Sequence, residues 1–192
     1  MKHFMPALRM LIFMTVLTGI VYPLVVTGIS QALFPRQAQG QLLENAEHTV
    51  VGSTLLEQKF TQDKYFWGRP SAVDFNPMPS GGSNLGQASS DLKKAYDDRK
   101  ALLKKADPEV TTEPPQDLLF ASGSGLDPHI SPAASQYQLQ RVAKARGMDI
   151  NRVKKIVDEM TEARQYGLFG EPTVNVLAVN LALDKEQKDM MK

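Results

Sequence analysis

Between Arg9 and Arg36 the chain carries no charged side chain, and that run constrains what the rest can be. Its core reads LIFMTVLTGIVYPLVVTGISQAL, Leu11 to Leu33, 23 residues of which 12 are Leu, Ile, Val or Phe. As a helix it would be about 34 Å long at roughly 1.5 Å per residue, enough to cross a hydrocarbon core of about 30 Å. Its Leu, Ile, Val and Phe residues, at roughly −0.3 to −0.6 kcal/mol each, favour insertion by about 5 kcal/mol before the polar residues are set against them. A cleaved signal sequence would have an apolar region of about 7–15 residues ending at an Ala-x-Ala-like site. This run is longer, and the nearest approach to such a site is Ala38-Gln39-Gly40, so it reads as an uncleaved anchor. The expected organisation is an N-terminal segment 1–10, a transmembrane helix 11–34, a connector 35–48 and one mixed α/β domain 49–192.

Basic residues near the ends of a span set its orientation. Lys2, Arg9 and the terminal amine precede it, and Arg36 alone follows closely. The expectation is an N-terminus in the cytoplasm and the bulk of the chain outside it. The whole chain has 22 Lys and Arg, 21 Asp and Glu and a formal net charge of +1. With Lys2 and Arg9 ahead of the anchor, the remainder is close to neutral, which excludes a general polyanion binder. There are no cysteines, so disulfides and thiolate metal sites are excluded.

Past the connector, the β-branched stretch Thr49 to Leu56 is predicted as a strand. Phe60 to Ala72 is dense in aromatics and holds the only Trp. Phe75 to Gly86 contains NPMPSGGSNLG, a Pro- and Gly-rich loop. Asp91 to Ala106 is predicted as a charged helix capped by Ser90, with Leu92, Ala95, Leu102 and Leu103 as its apolar face. After the Pro-rich loop Asp107 to Gln116, Asp117 to Gly125 is predicted as a short buried strand running into a turn. Two helices follow. The first has Ser131 as cap, Pro132 at its first position and Gly147 at its end. The second starts near Asp149 with Ile150, Val153, Val157 and Met160 on its apolar face. Gly167 to Pro172 is a turn, and Thr173 to Asp184 begins as a strand and ends as a helix.

The glycine loops raise the question of phosphate binding. A P-loop needs G-x-x-x-x-G-K-[ST], with a Lys for the phosphates. Gly81-Gly82 has no Lys before Lys93, and Gly123-Ser124-Gly125 lacks the third glycine of a dinucleotide loop. Both read as turns in which glycine supplies positive φ. Asp127, His129 and Ser131 are the residue types of a hydrolase triad, but sequence neighbours rarely converge in triad geometry. His48 and His129 alone do not make a zinc site. Arg141, Lys144, Arg146, Arg152, Lys154 and Lys155 flank a Gly-containing turn between helices, a pattern shared with DNA-binding motifs. In a nearly neutral domain they read instead as a solvated face, with no nucleic-acid partner. In the anchor, Thr15, Gly19, Pro23 and Thr27 recur every four residues, and Gly28 and Ala32 repeat that spacing. Small residues at this interval let helices approach closely in lipid, so the stripe is expected to face a partner. Pro23 clashes with the carbonyl of residue 19 and is expected to kink the helix. These residues alone describe an accessory subunit or a membrane-anchored extracytoplasmic binding or sensor protein.

Six stretches together resemble the C subunit of the Kdp-type potassium-transporting ATPase: YPLVVTGISQALFP from Tyr22, YFWGRPSA from Tyr65, SGGSNL from Ser80, ASGSGLDPHISP from Ala121, RVAKARG from Arg141 and VNVLAVNLALD from Val174. The resemblance implies a subunit of a heteromeric pump in the bacterial inner membrane. Its partners would be a channel-like potassium-translocating subunit, a P-type ATPase subunit and a small membrane peptide, in contact with the lipid bilayer. The family is described as assembling the complex and raising the ATPase subunit's affinity for ATP. A domain outside the cell cannot touch cytoplasmic ATP, so the effect is expected to be indirect, with no catalytic residue, metal or directly bound cofactor in this chain. The expected partner-contact residues are Gly68, Arg69, Pro70, Ser71, Ser80, Gly81, Gly82, Ser83, Asn84, Ser124, Gly125, Leu126, Asp127 and His129. The expected membrane-packing residues are Thr15, Gly19, Pro23, Thr27, Gly28 and Ala32.

Overall fold

A computed structural model describes residues 3–44 and 49–190, and His48 lies outside them. The chain forms two compact units, one up to Val51 and one from Gly52 onward. In the first unit, a helical run of 30 residues from Phe4 to Leu33 has a mean hydropathy of 2.1 and none of its residues buried. It is long and apolar enough to cross a membrane. It consists of α1 (Phe4–Val16), a π-helical turn (Leu17–Val21) and α2 (Tyr22–Leu33). Proline lacks an N–H and its ring crowds the carbonyl four residues back. The ladder accommodates Pro23 one step earlier: the Tyr22 N–H donates to the Leu17 carbonyl, a wide-turn bond. The short helix α3 (Pro35–Ala38) and strand β1 (Leu42–Glu44) follow.

Strand β2 (Val50–Ser53) pairs with β1 and ends in a turn, so the predicted strand to Leu56 is shorter than expected. The second unit then runs without regular structure to α4 (Ser90–Ala106). Ser89, not Ser90, caps α4: its Oγ accepts from the Leu92 N–H at 3.4 Å. The face of α4 is also rotated from the expected one. Leu103 is buried, Leu92, Ala95 and Tyr96 are half-buried, and Leu102 is 56% exposed. Tyr96 packs on Phe120 with ring centroids 5.5 Å apart, which turns the helix away from Leu102. The predicted strand from Asp117 is instead a single 3₁₀ turn, Gln116–Leu118. The two prolines ahead of it suit a tight helical turn, and Leu118 and Leu119 drop into the core from it.

The remaining elements are β3 (His129–Ile130), α5 (Pro132–Arg146), α6 (Ile150–Glu159), β4 (Thr161–Glu162), β5 (Thr173–Asn175) and α7 (Val176–Met190). Ser131 Oγ accepts from Ala134 N–H at 3.0 Å, and Gly147 closes α5 at φ +64°, a left-handed cap that glycine adopts without a Cβ penalty. Asp149 caps α6 through the Asn151 N–H at 2.8 Å. Val153 and Val157 are fully buried, and Ile156 supports them from the core side. Ile150, expected on the apolar face, is 43% exposed because it occupies the first turn, at the rim. The sheet is three short antiparallel strands in the order β3-β5-β4, with Ile130 and Thr161 both opposite Val174. Helices α5, α6 and α7 pack in sequence, and β5 lies against α5 and α7. The core they enclose includes Ile130, Val142, Val174, Val176, Val179 and Leu183, none more than 1% exposed. Full burial of such side chains stabilises by about 1.5–3 kcal/mol each. The result is a mixed α/β unit in which helices supply most of the core.

Candidate functional site

The aromatic segment around Trp67 has no strand to pair with, yet its peptide groups are buried and must be satisfied. Two side-chain amides take the place of a strand. Asn180 of α7 brackets Phe66: Oδ1 accepts from the Phe66 N–H at 2.8 Å and Nδ2 donates to its carbonyl at 3.0 Å. Gln138 of α5 does the same for Trp67, at 2.9 and 3.0 Å. Arg141 closes the clamp by donating to the carbonyls of Asp63 and Tyr65 while its guanidinium lies 4.1 Å from the Trp67 ring centroid. Burial pulls the Arg141 pKa down to about 10. Arg146 donates to the Lys64 carbonyl and pairs with Asp184 at 2.9 Å.

This corrects the reading of the basic cluster as a solvated face. Arg141 and Arg146 are each 5% exposed and structural. The other four are exposed and ion-paired, Lys144 with Glu109, Arg152 with Glu186, Lys154 with Asp158 and Lys155 with Glu159. A run of basic residues that looked continuous in sequence leaves no unbalanced positive face.

The clamp fixes where Gly68, Arg69, Pro70 and Ser71 emerge, and onto them fold the two glycine loops. The Pro70 carbonyl accepts from the Ser122 N–H at 3.1 Å. Ser80 Oγ and the Gly81 N–H both donate to the Ser124 carbonyl at 2.9 Å. The Gly125 N–H donates to the Ser122 carbonyl, and the Leu126 carbonyl accepts from Glu57 N–H. Ser71 Oγ accepts from the N–H groups of Val73 and Phe75 and holds the bend in which Asp74 and Phe75 have positive φ. Ser83 and Asn84 continue the first loop in exposed positions.

The glycines act by different means than expected. Gly125 does have positive φ, +70°, and a Cβ there would sit 2.6 Å from Val73 Cγ2 and 2.9 Å from the Gly81 carbonyl. Gly81, Gly82 and Gly123 are not in the positive-φ region. Gly82 is constrained by proximity: its Cβ would meet the Gly123 carbonyl at 3.1 Å. The Gly81 and Gly125 amides, which a phosphate cradle would turn outward, are engaged by carbonyls, Gly81 by Ser124 of the facing loop and Gly125 by Ser122 of its own.

Charge is concentrated at the inner edge of this face. Arg69 Nη1 donates to Asp127 Oδ2 at 2.9 Å, and Asp127 Oδ1 accepts from the His129 N–H at 3.1 Å with His129 Nδ1 3.6 Å away. The His129 contact and then Arg69 hold the Asp127 carboxyl below its usual range, while Asp127 raises the His129 pKa against the effect of burial. Beneath them lies Glu57, 4% exposed, its carboxyl pressed against Gly68 with neither oxygen in a hydrogen bond among the described residues. Burial, reinforced by Asp127, pushes its pKa from 4.5 up to about 8. Ser131 Oγ accepts the capping N–H of Ala134, and among the described residues no hydrogen bond joins it to His129, so the sequence triad Asp127, His129 and Ser131 is not assembled. Among the described residues no three His, Cys, Asp or Glu side chains converge on a metal position.

Reading the sequence located the loops but not Glu57, Gln138, Asn180 or Arg141. Nothing in TLLEQKF marks its Glu as buried, and the two amides sit in ordinary helical context. In the first unit, Thr15, Gly19, Pro23, Thr27, Gly28 and Ala32 are all exposed, and a Cβ at Gly19 or Gly28 would meet open space.

Comparison with known proteins covers nearly the whole chain. Residues 4–185 match the family model described as K+-transporting ATPase, c chain. The chain is 51% identical over 189 residues to the potassium-transporting ATPase KdpC subunit of Sorangium cellulosum, covering 96% of this chain and 98% of that one. It is 50% identical over 186 residues to the KdpC subunit of Methylococcus capsulatus, covering 95% and 97%. To that of Geobacter sulfurreducens it is 50% identical over 187 residues, covering 96% and 98%.

Proposed function

The chain belongs to the family of C chains of the potassium-transporting ATPase, and from that premise we propose that it acts as a non-catalytic clamp that holds the pump's larger subunits together. It is an accessory subunit of a potassium pump, carried on one N-terminal apolar helix. The proposed orientation has the N-terminus in the cytoplasm and the second unit outside the inner membrane, supported by Lys2 and Arg9 preceding the anchor. The proposed partners are the channel-like potassium-translocating subunit, the P-type ATPase subunit and the small membrane peptide. The face built from Gly68–Ser71, Ser80–Asn84 and Ser124–His129 docks on the channel-like subunit, and the small-residue stripe of the anchor packs among the membrane helices.

The observation that carries the indirect part of this reading is the direction of the loop amides. The Gly81 N–H is engaged by Ser124 of the facing loop, the Gly125 N–H by Ser122 of its own, and the Arg69 guanidinium at this face is held by Asp127. The effect on ATP is therefore a coupling free energy: the subunit raises the apparent ATP affinity of its partner by binding one conformation of the complex more tightly than another. A tenfold effect requires about 1.4 kcal/mol of differential contact.

Calorimetry on the full chain in detergent micelles tests this reading. No saturable heat is expected with millimolar ATP, and sub-millimolar binding with NMR shifts at Ser80–Asn84 or Ser122–Asp127 would overturn it. Protease added to intact spheroplasts is expected to digest the second unit. A chain protected until the membrane is breached would reverse the orientation.

A further inference from the structure

The β4–β5 connection stands away from the core as a finger. Every residue from Glu162 to Glu171 is exposed, and at its end Tyr166, Leu168 and Phe169 are 96, 69 and 62% exposed. This is no slack loop. Gln165 and Phe169 exchange both backbone hydrogen bonds, at 2.8 and 2.9 Å, and the Leu168 N–H closes a tight turn on the Gln165 carbonyl. Tyr166 and Gly167 at the turn's centre have φ of +54° and +72°, the pair of positive values that a primed hairpin turn requires. Arg164 and Glu171 form an ion pair across the base. A non-glycine aromatic held at positive φ, with its ring in solvent, gives up backbone freedom without gaining any burial.

Three large apolar side chains on a preorganised turn are an anchor for a partner's pocket, because the ordering cost of binding is already met. We propose that this finger inserts into an apolar, uncharged pocket on another protein subunit of the pump, a contact separate from the glycine-loop face. The proposal rests on the membership in a multi-subunit complex argued above. Charge and area select this occupant. The base pair Arg164–Glu171 is neutral and Glu162 adds a negative charge, so an anionic lipid surface is offered no attraction. The tip can bury on the order of 500 Å². A stable interface needs about 800 Å² from each partner, so the tip alone cannot hold a second copy of this chain. It suffices for a partner already held by other surfaces, where the second contact forms at high effective concentration. By the strand register the finger leaves the sheet beyond the Glu162–Thr173 pair, at the opposite end of β5 from the His129–Asn175 pair.

The test places a photo-crosslinking benzoylphenylalanine at position 166 of the full chain, within the assembled complex. A covalent adduct with another subunit is expected. Adducts with lipid alone, with a second copy of this chain alone, or none at all would overturn the proposal. In parallel, the triple variant Tyr166→Ser, Leu168→Ser, Phe169→Ser is expected to leave the complex at least tenfold faster on dilution. Its melting temperature should be unchanged, since the tip touches no core. Wild-type retention with equal retention of the variant would defeat the finger alone. Failure of the wild-type chain to co-purify with the complex would defeat the subunit assignment and the finger with it.

Discussion

Glu57 is the residue least explained by its neighbours in sequence. Its carboxyl is buried beneath Arg69 and Asp127, and its pKa stands at about 8 against 4.5 when unfolded. Between those values the folded chain holds a proton that the unfolded chain has released, so stability falls as pH rises through that window. His129 acts in the same direction: its raised pKa contributes stability below its unfolded value of 6.5 and loses it as pH climbs through the folded value. Asp127, with its lowered pKa, is fully contributing above 3.8. The full chain in detergent is therefore expected to melt lower at pH 9 than at pH 5. Glu57→Gln should recover at least about 1 kcal/mol at pH 9, roughly 2–4 °C, much less at pH 5 and almost nothing at pH 4, below both values. Parallel melting profiles for the two proteins would show that Glu57 is not buried as described. Gly125→Ala tests the loop contact at the same scale. A Cβ at φ +70° costs about 1 kcal/mol or more before its collision with the Gly81 carbonyl. Hydrogen exchange is expected to quicken first at Gly81, whose N–H bonds across to Ser124, and at Gly125 itself.

Helices α5 and α7 carry, besides apolar faces, the hydrogen bonds that a sheet would otherwise supply. Gln138 and Asn180 satisfy all four backbone groups of Phe66 and Trp67, and both amides are 1% exposed. Replacing either with Leu keeps the volume and leaves two buried peptide groups without partners, at about 1–3 kcal/mol for each group. Gln138→Leu and Asn180→Leu are each expected to lower the unfolding free energy by about 2–6 kcal/mol, read from denaturation midpoints. They should also free Gly68–Ser71, read as increased protease cleavage near Trp67. An unfolding free energy within about 0.5 kcal/mol of wild type would mean that water satisfies the segment instead. Helical spacing predicted α5, α6 and α7 because period and caps are local properties. It missed that α5 turns Gln138, Arg141 and Arg146 inward, since their burial depends on a segment some 70 to 80 residues earlier in the chain.

Across the whole molecule, the two units offer two kinds of surface for the proposed contacts. The first offers a helix with small residues and a π-turn at its middle. In lipid, such helices associate by close packing, because the tails are as apolar as the side chains. Gly19→Leu with Gly28→Leu is expected to release the chain from its pump while leaving it in the membrane fraction, read by co-purification from detergent extracts. Full retention would exclude the stripe as an interface. The second unit offers the interlocked glycine loops, fixed by the clamp beneath them.

The sequence alone determined the long apolar N-terminal helix, though it begins at Phe4 rather than Leu11, the helix boundaries at Ser131, Gly147 and Asp149, and the switch from strand to helix near Asn175. These depend on composition, caps and local period, which a chain carries wherever it folds. Its motifs also pointed to the family. Only the tertiary structure decided that Asp117–Gly125 is a turn rather than a strand, that Ser80 and Gly81 meet Ser124, and that Gly82 is limited by a facing backbone. It also decided that two of six clustered cations are interior and that a glutamate is buried under the loops. Each of those outcomes depends on which distant segment arrives alongside, and the energy of a buried peptide or charge is set by that neighbour rather than by the residue itself.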